Sequence, residues 1–236
     1  MATTAHPPLH AHAFDFWLAR AAVLVTAILN ALLINQLTYV PWWLASGVQI
    51  SILVPLSVAT AWTHGRMRQA TSAQHWSSIY RHRRAIRRVA IFLTGVVSLI
   101  NFIDLYNVMM ALLYGTKHAG GQSLLIDALN IWFTNVVVFA LWFWNLDRGG
   151  PAMRGITTKG APDFFFPQMD SGFPDAKTWT PGFVDYFYVS FTNACAFSPT
   201  DTMPLSARSK LLMSAQAMAS LLTVGLVAAR AVNILS

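Results

Sequence analysis

The residues able to do chemistry in this chain are polar side chains set inside long apolar runs. Asp104 stands with Asn101 and Asn107 one turn to either side, so the three share one broad helical face. At a similar depth in other apolar blocks come Asn135, then Thr192 and Asn193, then Gln216 and Ser220. Ionisable groups inside a bilayer are costly and usually face a bundle interior or a hydrated path, so Asp104 marks a candidate ion or solute site. Oxygen and amide groups gathered at one depth from several helices suit such a path. The same amides and hydroxyls equally serve as interhelical glue, worth about 0.6 kcal/mol per contact.

Two further constellations are present. Asp185 opens one apolar block and Arg230 lies near the close of the next, as a structural ion pair joining the two ends of a hairpin would require. His6, His10 and His12 have the chemistry of metal ligands, but the run His-Pro-Pro-Leu-His-Ala-His has the character of an unstructured terminus. Cys195 is the single cysteine, which excludes an intramolecular disulfide and a multi-cysteine metal site. No nucleophile-elbow, metalloprotease or phosphate-loop spacing occurs, so no catalytic residue, metal or cofactor is expected.

The elements that must hold these residues follow from composition. Of the 236 residues 55% are hydrophobic and 11% charged, against about 25% charged in soluble domains. Apolar blocks run over about 14–37, 41–62, 89–114, 124–146 and 204–235, with a weaker one at 182–199. A bilayer-crossing helix needs about 20 apolar residues. The expected fold is therefore all-α: one polytopic transmembrane bundle of six spans, with a connector at 63–88 and a Pro- and Gly-rich linker at 147–181. The alternative is five spans plus a re-entrant, pore-like helix at 182–203.

Charge sets the orientation. The net charge is +7, and the connector alone holds Arg66, Arg68, Arg81, Arg83, Arg84, Arg87 and Arg88 without one acidic residue. Arginine gathered between two spans is a topology signal and places that connector in the cytoplasm, so nucleic acid is not an expected partner. Counting spans then puts the N-terminus and, for six spans, the C-terminus on the cytoplasmic side. The first apolar block lacks a cleavage site and is expected to remain as a span. An arginine-rich connector with Trp76 and Tyr80 also suits contact with anionic lipid. Phe164, Phe165, Phe166 and Trp179 are expected to seal the linker against the bundle or the membrane interface.

Two resemblances rest on the C-terminal part. The run Asp185-Tyr186-Phe187-Tyr188-Val189-Ser190-Phe191-Thr192, continuing to Phe197-Ser198-Pro199-Thr200-Asp201, and a last helix ending Ala231-Val232-Asn233, are preceded by Leu146-Asp147-Arg148-Gly149-Gly150. This resembles a bacterial inner-membrane family of unknown function over the last 95 or so residues, which implies an inner-membrane location. The same stretch resembles the pore helix, filter and inner helix of tetrameric potassium channels. Asp201, Pro204 and Ser206 keep that spacing, with Gly225 at a possible inner-helix hinge. In place of the filter glycines, which let successive carbonyls face one axis, stand Ala196, Phe197, Ser198, Pro199 and Thr200. A channel-like or small transport protein, forming a homo-oligomer, is the leading expectation. A non-transport assembly factor or subunit of a membrane complex is the alternative.

Overall fold

The computed structural model describes residues 10–32, 46–54, 57, 73–114, 121–151, 161–174, 176, 179–195 and 201–235. These form helices α1 (His10–Leu32), α2 (46–54), α3 (Ala73–Tyr114), α4 (Gly121–Leu146), α5 (Phe183–Cys195) and α6 (Ala207–Leu235). One short antiparallel pair, β1 (Phe164–Phe165) with β2 (Met203–Pro204), ties the linker to the start of α6. Among the described residues three helical stretches are long and apolar enough to cross a membrane: Arg84–Leu112, Leu124–Gly149 and Ala207–Ala228. A shorter apolar stretch covers Trp17–Ala31.

α4 is the centre of the molecule, because its apolar residues point in every direction. Val136–Leu141, Phe143 and Trp144 are all buried, where a helix at the periphery would bury one stripe. α3 runs antiparallel to it. Arg87 Nε donates to the Asn145 carbonyl at one end of the pair, and Trp142 Nε1 donates to Ser98 Oγ at 2.8 Å one span-third higher. At the other end Asn130 of α4 donates to Asn30 of α1 at 2.5 Å. Ala19 and Val23 of α1 join the core formed by Val137–Trp144, so α1 is also antiparallel to α4. α3 spans 42 residues, about 63 Å at 1.5 Å per residue, twice the hydrocarbon core. It therefore starts well before Val89, inside the expected connector, and projects beyond the apolar layer with Arg81, Arg84 and Arg88 exposed.

The expectation of a complete span at 182–199 is not met. α5 has 13 residues, a rise of about 20 Å against a hydrocarbon core of about 30 Å. It lies antiparallel to α4 and parallel to α6. Ser190 Oγ donates to the Val136 carbonyl at 2.6 Å, and Asn193 Nδ2 to the Met213 carbonyl at 2.9 Å. Two consecutive helices can run parallel only if the chain returns between them. That return is visible at its two ends: Asp185 and Tyr188 near the start of α5 and Asp201 and Thr202 beyond its end line one cavity of about 80 Å³, walled by Phe166 and Pro167. A spanning helix would have separated these residues by the width of the membrane.

Arg230 lies 22 residues beyond Arg208 on α6, about 33 Å along the axis. Asp185 sits at the α6-start end, where it accepts the Gly182 backbone N–H at 2.7 Å. The side chain of Arg230, and with it the expected pair Asp185–Arg230, lies outside the described residues. α1 begins and α6 ends at opposite ends of the bundle.

Candidate functional site

Two polar regions are built on this scaffold. The first joins α4, α5 and the linker at the end where Arg87 lies. Asp147 ends α4, fully buried, and three successive positive φ angles follow at Arg148 (50°), Gly149 (82°) and Gly150 (82°). The Tyr186 hydroxyl donates to Asp147 Oδ2, and the Asp163 backbone N–H donates to Asp147 Oδ1 at 2.7 Å. Asp163 in turn receives both arms of Arg208, Nε to Oδ1 at 2.7 Å and Nη2 to Oδ2 at 2.5 Å. Its carbonyl accepts the Leu205 N–H at 2.8 Å and the Ser209 hydroxyl at 3.1 Å. Phe164 and Phe166 pack edge-on against Tyr186, with Trp179 over Phe166. The aromatic linker thus seals against the bundle. This knot fixes where α5 and α6 start.

The second region is a buried layer between α4, α5 and α6. Gln216, fully buried, donates through Nε2 to the Ser190 carbonyl at 2.8 Å and to Ser190 Oγ at 2.6 Å. Its Oε1 accepts from Asn193 at 2.9 Å. Asn135 Nδ2 donates to Ser220 Oγ at 2.9 Å, with the Gln216 carbonyl at 3.4 Å. Four expected residues, Asn135, Asn193, Gln216 and Ser220, therefore do converge, joined by Ser190, which the sequence did not single out. Thr192 does not join them. Its hydroxyl bonds back to the Tyr188 carbonyl of its own helix at 2.7 Å. Replacing Gln216 by Leu removes one of the two acceptors of the Asn193 amide and both bonds to Ser190, and is expected to cost about 2 kcal/mol, read as a lower unfolding midpoint in detergent.

The other expected positions fall elsewhere. Asn101 is buried and Asp104 and Asn107 half-buried on α3, and the hydrogen bonds that knit the layer come from α4, α5 and α6. Asp201 is exposed at the α5–linker cavity. Phe197, Ser198, Pro199, Thr200 and His6 lie outside the described residues, as do the side chains of His10, His12 and Arg230. His10 and His12 themselves belong to the first turn of α1 rather than to an irregular terminus.

Sequence reasoning also passed over Asp127, a buried carboxylate inside α4. Its position near the start of an apolar block looks interfacial. The signal that would have found it is the polar stripe Asp127–Asn130–Thr134, spaced i, i+3, i+7 along one flank of the helix. Compared with family models, curated proteins and solved structures, the chain matches none of them.

Proposed function

We propose that this chain is a channel-like or small transport protein of the bacterial inner membrane, working as a homo-oligomer around the half-membrane helix α5. The observation that carries this is the parallel pair α5–α6, with Asp201 back beside the first turns of α5. At the last turn of α5 the Trp132 indole N–H of α4 donates to the Ala194 carbonyl at 3.5 Å. Non-helical backbone at that depth is tolerated only when covered by protein or facing water. Val184, Tyr188 and Phe191 on α5 and Leu211, Met218 and Leu221 on α6 are exposed, an apolar face suited to lipid or to a second copy.

Five crossings by α1, α2, α3, α4 and α6, with α5 re-entrant, form the topology this reading uses. Arginine bias puts the end holding Arg81, Arg84, Arg87 and Arg88 in the cytoplasm, with the start of α1. The exposed arginines of α3 there meet anionic headgroups. α5 then enters from the cytoplasm, the reverse of a potassium channel, and α6 ends on the far side. Asp104, with Asn101 and Asn107, is the acidic station of the path.

Flux of Na⁺, K⁺, Cl⁻ and H⁺ into proteoliposomes tests the reading. Asp104→Asn is expected to lower the flux about tenfold, the effect of removing the one charge from a membrane-buried station. Flux unchanged by the substitution would sink the Asp104 site, and no flux of any ion would sink transport. An impermeant maleimide added from one side is expected to label Asp185→Cys and Asp201→Cys alike; labelling from opposite sides would overturn re-entry. One observation favours the alternative of a non-transport membrane subunit. The layer of Asn135, Ser190, Asn193, Gln216 and Ser220 is bonded within itself, as glue would be.

A further inference from the structure

We propose that the cavity between the linker and the start of α5 binds a primary ammonium group carried on a short carbon chain. The site is separate from the α4–α5–α6 layer, and its assignment does not depend on the transport reading.

The cavity has a volume of about 80 Å³, room for about two or three waters at about 30 Å³ each. Its wall is of two kinds. Phe166, Pro167 and Tyr188 supply hydrocarbon and aromatic surface, with Trp179 packed behind Phe166. Asp185 and Asp201 supply carboxylates, and among the described residues no Lys, Arg or His lines the space. Arg208, at the same end of the bundle, gives both arms to Asp163. Two carboxylates lining one small space repel each other, and a cation between them relieves the repulsion. Asp185 Oδ2 accepts the Gly182 N–H, but a carboxylate offers about four lone-pair sites, so this bond does not exhaust it. Entry is open, because Asp201 and Tyr188 are both exposed.

Size and wall chemistry select the ligand. A magnesium ion keeps several of its waters and needs more room than this cavity has. A sodium ion gains nothing from the carbon half of the wall. An alkylammonium uses both halves. Its N–H groups donate to the carboxylates, while its charge and its methylene group lie against the rings, as cations do on aromatic faces. The ammonium can belong to a free amine or to the headgroup of a lipid at this end of the bundle.

The test uses the full purified chain in detergent, with thermal unfolding followed in ethylammonium chloride against sodium chloride at equal ionic strength. Saturating ethylammonium is expected to raise the midpoint by about 5 °C or more. Asp201→Asn, at an exposed position, should raise the half-saturating concentration about tenfold. Tyr188→Leu should raise it about threefold, the size of an exposed cation–π contact. Asp170→Asn removes the same charge from an exposed site outside the cavity and should leave it unchanged. A second arm adds short-chain phosphatidylethanolamine against phosphatidylcholine of the same chain length, whose headgroup has no N–H. Stabilisation by the first lipid alone, lost in Asp201→Asn, assigns the ammonium to a headgroup; stabilisation by ethylammonium without a difference between the lipids assigns it to a free amine. Equal midpoints in the two salts together with equal midpoints in the two lipids overturn the site. So does a response unchanged in Asp201→Asn, or one weakened as much by Asp170→Asn. Equal stabilisation by magnesium chloride assigns the cavity to a metal ion and overturns the proposal as well.

Discussion

Asp147→Ala is expected to lower the stability of the folded chain by about 3–5 kcal/mol, the range for breaking a buried charged network from one side. Both carboxylate oxygens of Asp147 are used, one by the Tyr186 hydroxyl and one by the Asp163 backbone N–H. Truncation leaves a buried phenol and a buried amide with no acceptor, and each carries its own desolvation cost. The loss spreads, since Asp163 is also the partner of Arg208 and its carbonyl holds Leu205 and Ser209. Thermal unfolding in detergent should show a large drop. Limited proteolysis should show new cleavage in the 161–182 linker. Tyr186→Phe removes only one of the two bonds and is expected to cost about 1–2 kcal/mol. A Phe variant as unstable as the Ala variant would mean that the phenol, rather than the carboxylate, organises this end.

Gly150→Ala is the second large effect, about 2–4 kcal/mol. Gly150 has φ +82°, and a Cβ there would lie 2.6 Å from the Asn145 carbonyl oxygen. The clash is with backbone, which cannot step aside without unwinding the last turn of α4. That turn also holds Arg87, whose Nε bonds the same Asn145 carbonyl. Gly225 provides the contrast. It is exposed on α6, and nothing lies within 4 Å of a Cβ built on it. Gly225→Ala is therefore expected to leave stability unchanged or raise it by about 0.5–1 kcal/mol, the helix-propensity gain. If Gly225→Ala abolished transport while stabilising the helix, the glycine would be a moving hinge; unchanged transport would make it an ordinary lipid-facing position.

The sequence by itself determined the class of the molecule. Apolar blocks of bilayer length can only be helices in lipid, because that depends on composition summed over many residues. It also gave the depth of Asn135, Asn193, Gln216 and Ser220, since residue position along a helix converts directly to height. What it did not determine was direction. The block at 182–199 has the hydropathy of a weak span, and hydropathy carries no sign for whether the chain continues or turns back. The contacts that bear on it are tertiary: Asn193 against Met213, Asp201 beside Asp185, and β1 against β2. The pairing of charges went the same way. Asp163 and Arg208 meet across a linker that no local pattern joins. Azimuth was hidden as well. Thr192 and Ser190 have similar heights, but only Ser190 faces the bundle, since a helix face is fixed by its neighbours and not by its own sequence.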